Sequence, residues 1–139
     1  GRADALDPVE RVSSRPDFGV LCYPVISLEP DIAHAGTVQN LLGRNPSPEL
    51  LREWSAHRRV TECTPPVFLW SLDRDPTVSV EHSLRMASAL RAAGVPFELH
   101  VYPGTRHGTG LRNDPDDGRL HPWTDALLRW LSTIGALDR

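Results

Sequence analysis

The sequence points to an α/β fold, about three parallel strands with covering helices, and three observations lead there. Short apolar runs alternate with helix-forming stretches, in the order strand, irregular segment with helix, strand, helix, strand, loop, helix. The runs at 18–23 and 67–70 are almost continuously apolar, which suits strands covered on both faces. The second and third strands are joined by an amphipathic helix, and such a crossover returns the chain to the side from which it started.

Residues 1–17 are polar and turn-forming and read as a leading segment, with the folded unit spanning 18–139. The first strand is expected over 18–23, because Pro24 cannot donate to a ladder. Residues 27–46 carry no clean period, apart from a helical turn around 37–42 stopped by Gly43. Ser47 and Pro48 then form a helix start, with serine as N-cap and proline at the first helical position. Leu50, Leu51 and Trp54 give that helix a modest apolar face, and Arg58 and Arg59 suit its C-terminus.

Pro65 and Pro66 punctuate before the second strand at 67–70. A helix over 81–93 places Leu84, Ala87, Leu90 and Ala93 near one face, with Gly94 after its end and Pro96 blocking continuation. The strand at 97–102 alternates apolar and polar residues, which marks a more exposed position near a sheet edge. A polar loop contains residues 113–118. The last helix has the clearest period, with Trp123, Ala126, Leu127, Trp130 and Leu131 on one side and Gly135 as its stop.

At 139 residues the chain has the size of one domain, or one lobe of a larger one. The 40% hydrophobic content is slightly low, and thirteen prolines with ten glycines make the chain loop-rich, but neither figure suggests disorder. A formal charge of −3 with interspersed signs gives no case for nucleic acid or an acidic membrane surface as partner. No apolar run approaches the ~20 residues needed to span a bilayer. Cys22 and Cys63 are isolated thiols without metal-ligand spacing, and Cys22 reads as a small buried hydrophobe. The polar N-terminus has no signal-peptide character, so a cytoplasmic location is expected; a secreted chain stripped of its leader would look the same.

Chemistry concentrates at two strand ends. Asp75 lies just past the second strand and His107 just past the third, so both fall on the edge of a parallel sheet where ligands bind. A buried carboxylate holds one imidazole nitrogen protonated while the other accepts a proton from a nucleophile. Asp73, two residues before Asp75, is the rival acid. Gly104 and Gly108 flank the histidine and permit a sharp turn. His100 reads as a structural strand residue. His34 and His121 sit in loops, without zinc-type spacing. The acidic 113–118 loop lacks the alternating ligands of a calcium site, since Pro115 interrupts them. Trp123 and Trp130 at helical spacing read as core. No metal or organic cofactor is implied.

Residues 70–84, ending Asp75-Pro-Thr-Val-Ser-Val-Glu-His-Ser-Leu, resemble the acid-bearing segment of α/β-hydrolases. Ala93-Gly-Val-Pro-Phe-Glu-Leu-His-Val-Tyr-Pro-Gly-Thr-Arg-His-Gly-Thr-Gly-Leu resembles their final strand and histidine loop. Pro16-Asp-Phe-Gly-Val-Leu-Cys-Tyr-Pro-Val-Ile and Asn40-Leu-Leu-Gly are similar to the acetylxylan-esterase and feruloyl-esterase-like group, which shares features with carboxylesterases and prolyl-oligopeptidase-like hydrolases. The resemblance runs from about Asp7 to the end. It implies a C-terminal lobe of an α/β-hydrolase, with Asp75 as triad acid and His107 as general base. Two departures are visible: Ser79 stands where the family usually has proline, and Asp73-Arg74-Asp75 replaces its common Ala-Asp-Asp.

The family's serine sits in G-x-S-x-G on a tight elbow, with a glycine-rich oxyanion loop. Neither motif occurs here; the only glycines four apart, Gly104 and Gly108, flank Arg106. The resemblance therefore implies a lobe that supplies acid and base but no nucleophile, for a carboxylic ester, with acetylated or feruloylated carbohydrate as candidate substrate. The competing expectation is an inactive hydrolase fragment serving as a binding or structural module. Expected partners are a complementary N-terminal lobe or a second copy, either meeting the strand edge at 18–23.

Overall fold

The computed structural model describes residues 1–112 and 118–137. Three strands, β1 (Gly19–Cys22), β2 (Val67–Leu72) and β3 (Phe97–Tyr102), form one parallel sheet in the order β1-β2-β3. Gly19 pairs with Val67, and Val67 with Phe97. The helices are α1 (Pro8–Arg11), α2 (Ala35–Leu42), α3 (Pro48–Glu53), α4 (Glu81–Ala92) and α5 (Trp123–Thr133), with a 3₁₀ turn at Ala56–Arg59. None of them is long and apolar enough to cross a membrane. The calcium question at 113–118 falls almost wholly outside the described residues.

β2 organises the core because every one of its residues is buried. Side chains alternate across a strand, so one sequence builds two cores. Val67 and Leu69 join Ile26, Met86, Leu90 and Val95 on the α4 side. Phe68, Trp70 and Leu72 join Trp123, Ala126 and Trp130 on the α5 side. Trp70 stacks on Trp123 with ring centroids 5.3 Å apart and planes 14° apart. The tryptophans of the last helix are therefore core, as their spacing indicates.

Local elements differ from the sequence reading where polar groups intervene. β2 runs two residues beyond 67–70, through Ser71 and Leu72. Ser71 falls in the phase that faces α4, and its hydroxyl meets that of Ser83 at 2.6 Å, both residues being buried. On α4, His82 Nδ1 accepts the backbone N–H groups of Ile26 and Ser27 at 3.2 and 3.1 Å. These bonds rotate the helix from the expected face: His82, Ser83, Met86, Ala87 and Leu90 are buried, while Leu84 is 42% exposed. An apolar count alone misses a face seated by hydrogen bonds.

α2 begins two residues earlier than expected, because His34 caps it by accepting from Thr37 N–H. The helix from Pro48 does not continue to Arg59. It stops at Glu53, where buried Ser55 donates to Leu51 C=O at 2.8 Å and accepts from Leu28 N–H at 2.9 Å. Trp54 is left 51% exposed rather than completing an apolar face.

The seating of α4 makes a paired prediction. Leu90→Ala, at a fully buried core position, should cost about 2–5 kcal/mol. Leu84→Ala should stay within about 0.5 kcal/mol. Urea unfolding followed by tryptophan fluorescence measures both, and equal losses would restore the face read from periodicity.

Candidate active site

All three parallel strands end on one edge of the sheet, and each delivers a residue there. Tyr23 follows β1 directly, Asp75 lies three residues past β2, and His107 five past β3. The structure brings Asp75 and His107 together: Nδ1 of the imidazole lies 2.7 Å from Oδ2 of the carboxylate. The Asp75 side chain is 1% exposed and that of His107 is 32% exposed, so the acid is covered while the ring reaches the surface. An ionised carboxylate can only accept, so Nδ1 carries the proton and Nε2 is the basic nitrogen.

The turn after β2 holds Asp75 in its ionised form. Its other oxygen, Oδ1, accepts the backbone N–H groups of Thr77 and Val78 at 2.8 and 3.0 Å. Burial pushes this carboxyl up, but the Val78 and Thr77 donors and the His107 ring outweigh it, leaving it below the usual carboxylate range.

Asp73, the rival acid, does different work. Its Oδ1 accepts Gly104 N–H at 2.8 Å, and Arg74 N–H donates to Gly104 C=O at 3.2 Å, which ties the start of the histidine loop to the end of β2. A Cβ on Gly104 would come to 3.0 Å from Leu72 Cδ1, so any larger residue here would press on that side chain. Gly108 (φ 71°) turns the chain after the histidine in the left-handed region. Farther on, Trp123 Nε1–H donates to Gly110 C=O at 2.9 Å. The loop carrying His107 is thus fastened on both sides, to β2 and to α5.

The other histidines singled out in the sequence fall elsewhere. His100 Nε2 pairs with Glu98 at 2.6 Å on β3. His34 is the cap of α2. His121 is 2% exposed, against Trp70 and Tyr102. Among the described residues no group of three or more His, Cys, Asp or Glu could hold a metal ion.

Two residues of consequence escaped the sequence reading. His82, whose ring burial holds below the ordinary histidine range, anchors the chain leaving β1 to the helix after Asp75. Tyr23 has φ 38°, the one positive-φ non-glycine among the described residues. Such a conformation costs about 1–3 kcal/mol. Its ring lies edge-on to His107, with centroids 5.0 Å apart and planes 70° apart. A tyrosine before proline signals an extended residue, so nothing in the sequence announced the kink.

Comparison with known proteins follows the same outline. The profile of the prolyl oligopeptidase family matches residues 22–133. The chain is 42% identical over 103 residues to endo-1,4-beta-xylanase B of Butyrivibrio fibrisolvens, covering 74% of this chain and 16% of that protein. It is 33% identical over 130 residues to an acetylxylan esterase of Xylanibacter ruminicola, covering 88% of this chain and 26% of that one. Among solved structures, the acetyl ester-xyloside bifunctional hydrolase of Caldicellulosiruptor lactoaceticus superposes with a TM-score of 0.88 at 50% identity, covering 97% of this chain and 48% of that chain. The chain therefore spans about half of that solved chain and about a quarter or less of the other two relatives.

The charge state of Asp75 has a testable consequence. A carboxyl depressed in the folded state stabilises the fold above its unfolded value of about 4 and gives up that contribution as pH falls through the folded value. Asp75→Asn should therefore flatten the acid limb of the stability curve. Urea midpoints from about pH 2 to pH 6 measure it; an acid limb unchanged in the variant would contradict the depressed carboxyl.

Proposed function

This chain belongs to the prolyl oligopeptidase family, and from that premise we propose that it is the C-terminal part of a serine esterase of carboxylic esters. In this reading residues 18–139 form the lobe that carries acid and base, residues 1–17 lead into it, and a complementary N-terminal lobe carries the nucleophile. The observation that supports it most is the 2.7 Å contact between His107 Nδ1 and Asp75 Oδ2 on the ligand-binding edge of the sheet. Its resemblance to an acetylxylan esterase and to an acetyl ester-xyloside hydrolase favours acetylated carbohydrate as substrate; feruloylated carbohydrate is the second candidate.

The proposed chemistry assigns one task to each group. His107 Nε2 takes the proton of the serine hydroxyl as its oxygen attacks the ester carbonyl. Asp75 stabilises the imidazolium that results. The imidazolium then returns the proton to the departing alcohol oxygen as the carbon–oxygen ester bond breaks, leaving an acyl-enzyme. Water, deprotonated by the same nitrogen, adds to the acyl carbon; the bond to the serine oxygen then breaks, and that oxygen takes the proton back from the imidazolium as the acid leaves.

β1 gives the second support. It is the edge strand of the sheet, half-buried along its length and without a partner strand on its outer side among the described residues. An open apolar edge favours pairing with another strand. The preceding lobe is the proposed occupant, with self-association as the alternative when that lobe is missing.

Hydrolysis of p-nitrophenyl acetate tests the assignment. The chain alone should show no turnover above background, because no oriented nucleophile or oxyanion hole stabilises the tetrahedral intermediate. Fused behind the N-terminal half of the Caldicellulosiruptor hydrolase, it should regain saturable turnover. His107→Ala should then lower kcat by about 10²–10⁴-fold. Turnover by the isolated chain, or a fusion indifferent to His107→Ala, would sink the proposal. Light scattering across a concentration series tests the edge: association is expected, whereas a concentration-independent monomer with a cooperative melt would favour an independent binding module.

A further inference from the structure

We propose that Tyr23 is a positioning residue for the His107 imidazole, holding the ring from the side that the Asp75 carboxylate does not reach. The inference rests on reading Asp75 and His107 as the acid–base pair. A single hydrogen bond at Nδ1 fixes one atom of the imidazole and leaves the ring able to tilt about that contact. The His107 side chain is 32% exposed, so burial does not immobilise it. What limits the tilt is the aromatic contact with Tyr23, centroids 5.0 Å apart and planes 70° apart.

Tyr23 can act as a wall because it is itself held. Its N–H donates to Trp70 C=O at 2.7 Å, so the sheet ladder persists up to this residue. Its ring also meets Trp70 edge-on, centroids 4.9 Å apart and planes 87° apart. Trp70 is fully buried and stacked on Trp123, which gives the wall a rigid backing. A continuous row of rings thus runs from the core of the α5 side to the imidazole.

The backbone carries the strongest sign of purpose. Tyr23 adopts φ 38° although it has a Cβ and precedes Pro24, a place where extended backbone is favoured. Glycine would take that conformation without steric cost. A bulky side chain at a strained position beside a titratable ring is the pattern in which strain accompanies function. The kink turns the residue out of the strand just where its ring can serve both Trp70 and His107.

Two variants separate ring from backbone. Tyr23→Gly keeps the left-handed conformation and removes the ring; Tyr23→Phe keeps the ring and removes the hydroxyl. Carbon relaxation of the His107 Cε1–H bond reads ring order in the purified chain, with backbone amide spectra checking the fold. The native chain and Tyr23→Phe should give matching, high order parameters for this bond, and Tyr23→Gly a value below about 0.6. An equally ordered ring in Tyr23→Gly would overturn the proposal, and so would a Phe variant as loose as the Gly one.

If Tyr23→Gly does not fold, the native chain decides through the nuclear Overhauser contact between the Tyr23 ring protons and His107 Cε1–H. Its presence together with an ordered Phe variant supports the proposal, and its absence overturns it. Asp75→Asn keeps failure of the underlying pair distinct. Loss of the Nδ1-protonated form in nitrogen spectra is expected, and its retention would refute the pair while the Tyr23 contact stands or falls on its own readout.

Discussion

The double burial of β2 is the constraint from which the rest follows. A strand covered on both faces and paired on both edges has no freedom of register, because a one-residue slip would exchange its two cores. Val67 and Leu69 are committed to α4, and Phe68, Trp70 and Leu72 to α5. The end of β2 therefore lies at a fixed height on the sheet. Asp75 is placed three residues beyond that end, and His107 meets it from a strand locked in register by the pairing of Leu72 with Tyr102.

The two aspartates that follow β2 divide the labour by backbone geometry rather than by side-chain chemistry. Asp73 follows β2 directly, with its N–H donating to Tyr102 C=O, and its carboxylate bonds across to Gly104, so it fastens a loop. Asp75 sits within the turn, collects the amides of Thr77 and Val78, and presents its remaining oxygen to the imidazole. The amides do more than orient it. They offset the burial of a carboxylate that would otherwise favour protonation. The same residue type two positions earlier, with a side chain 43% exposed, has no comparable demand to meet.

Most of this architecture was legible in the sequence because apolar periodicity reports burial directly. The alternation of strand and helix, the parallel sheet and the packing of Trp123 and Trp130 all follow from that signal. The motif around Asp75 and the glycines around His107 likewise marked the pair that the fold brings together. What was not legible depends on hydrogen bonds between distant residues. The Ser71–Ser83 contact and the His82 anchor rotate α4 away from its apolar count, and the bond from Leu28 N–H to Ser55 helps end a helix that composition alone would extend. The kink at Tyr23 is hidden for another reason: it contradicts local preference, and only the tertiary setting maintains it.

The fastening of the histidine loop on both sides bears on where this chain can change length. Between the Gly104 tie to Asp73 and the Gly110 tie to Trp123, the path is fixed at both ends, and His107 lies midway. A residue added inside that span would bow the loop outward and carry the imidazole away from the Asp75 carboxylate. Insertions and deletions in descendants of this sequence should therefore spare the seven residues from Gly104 to Gly110.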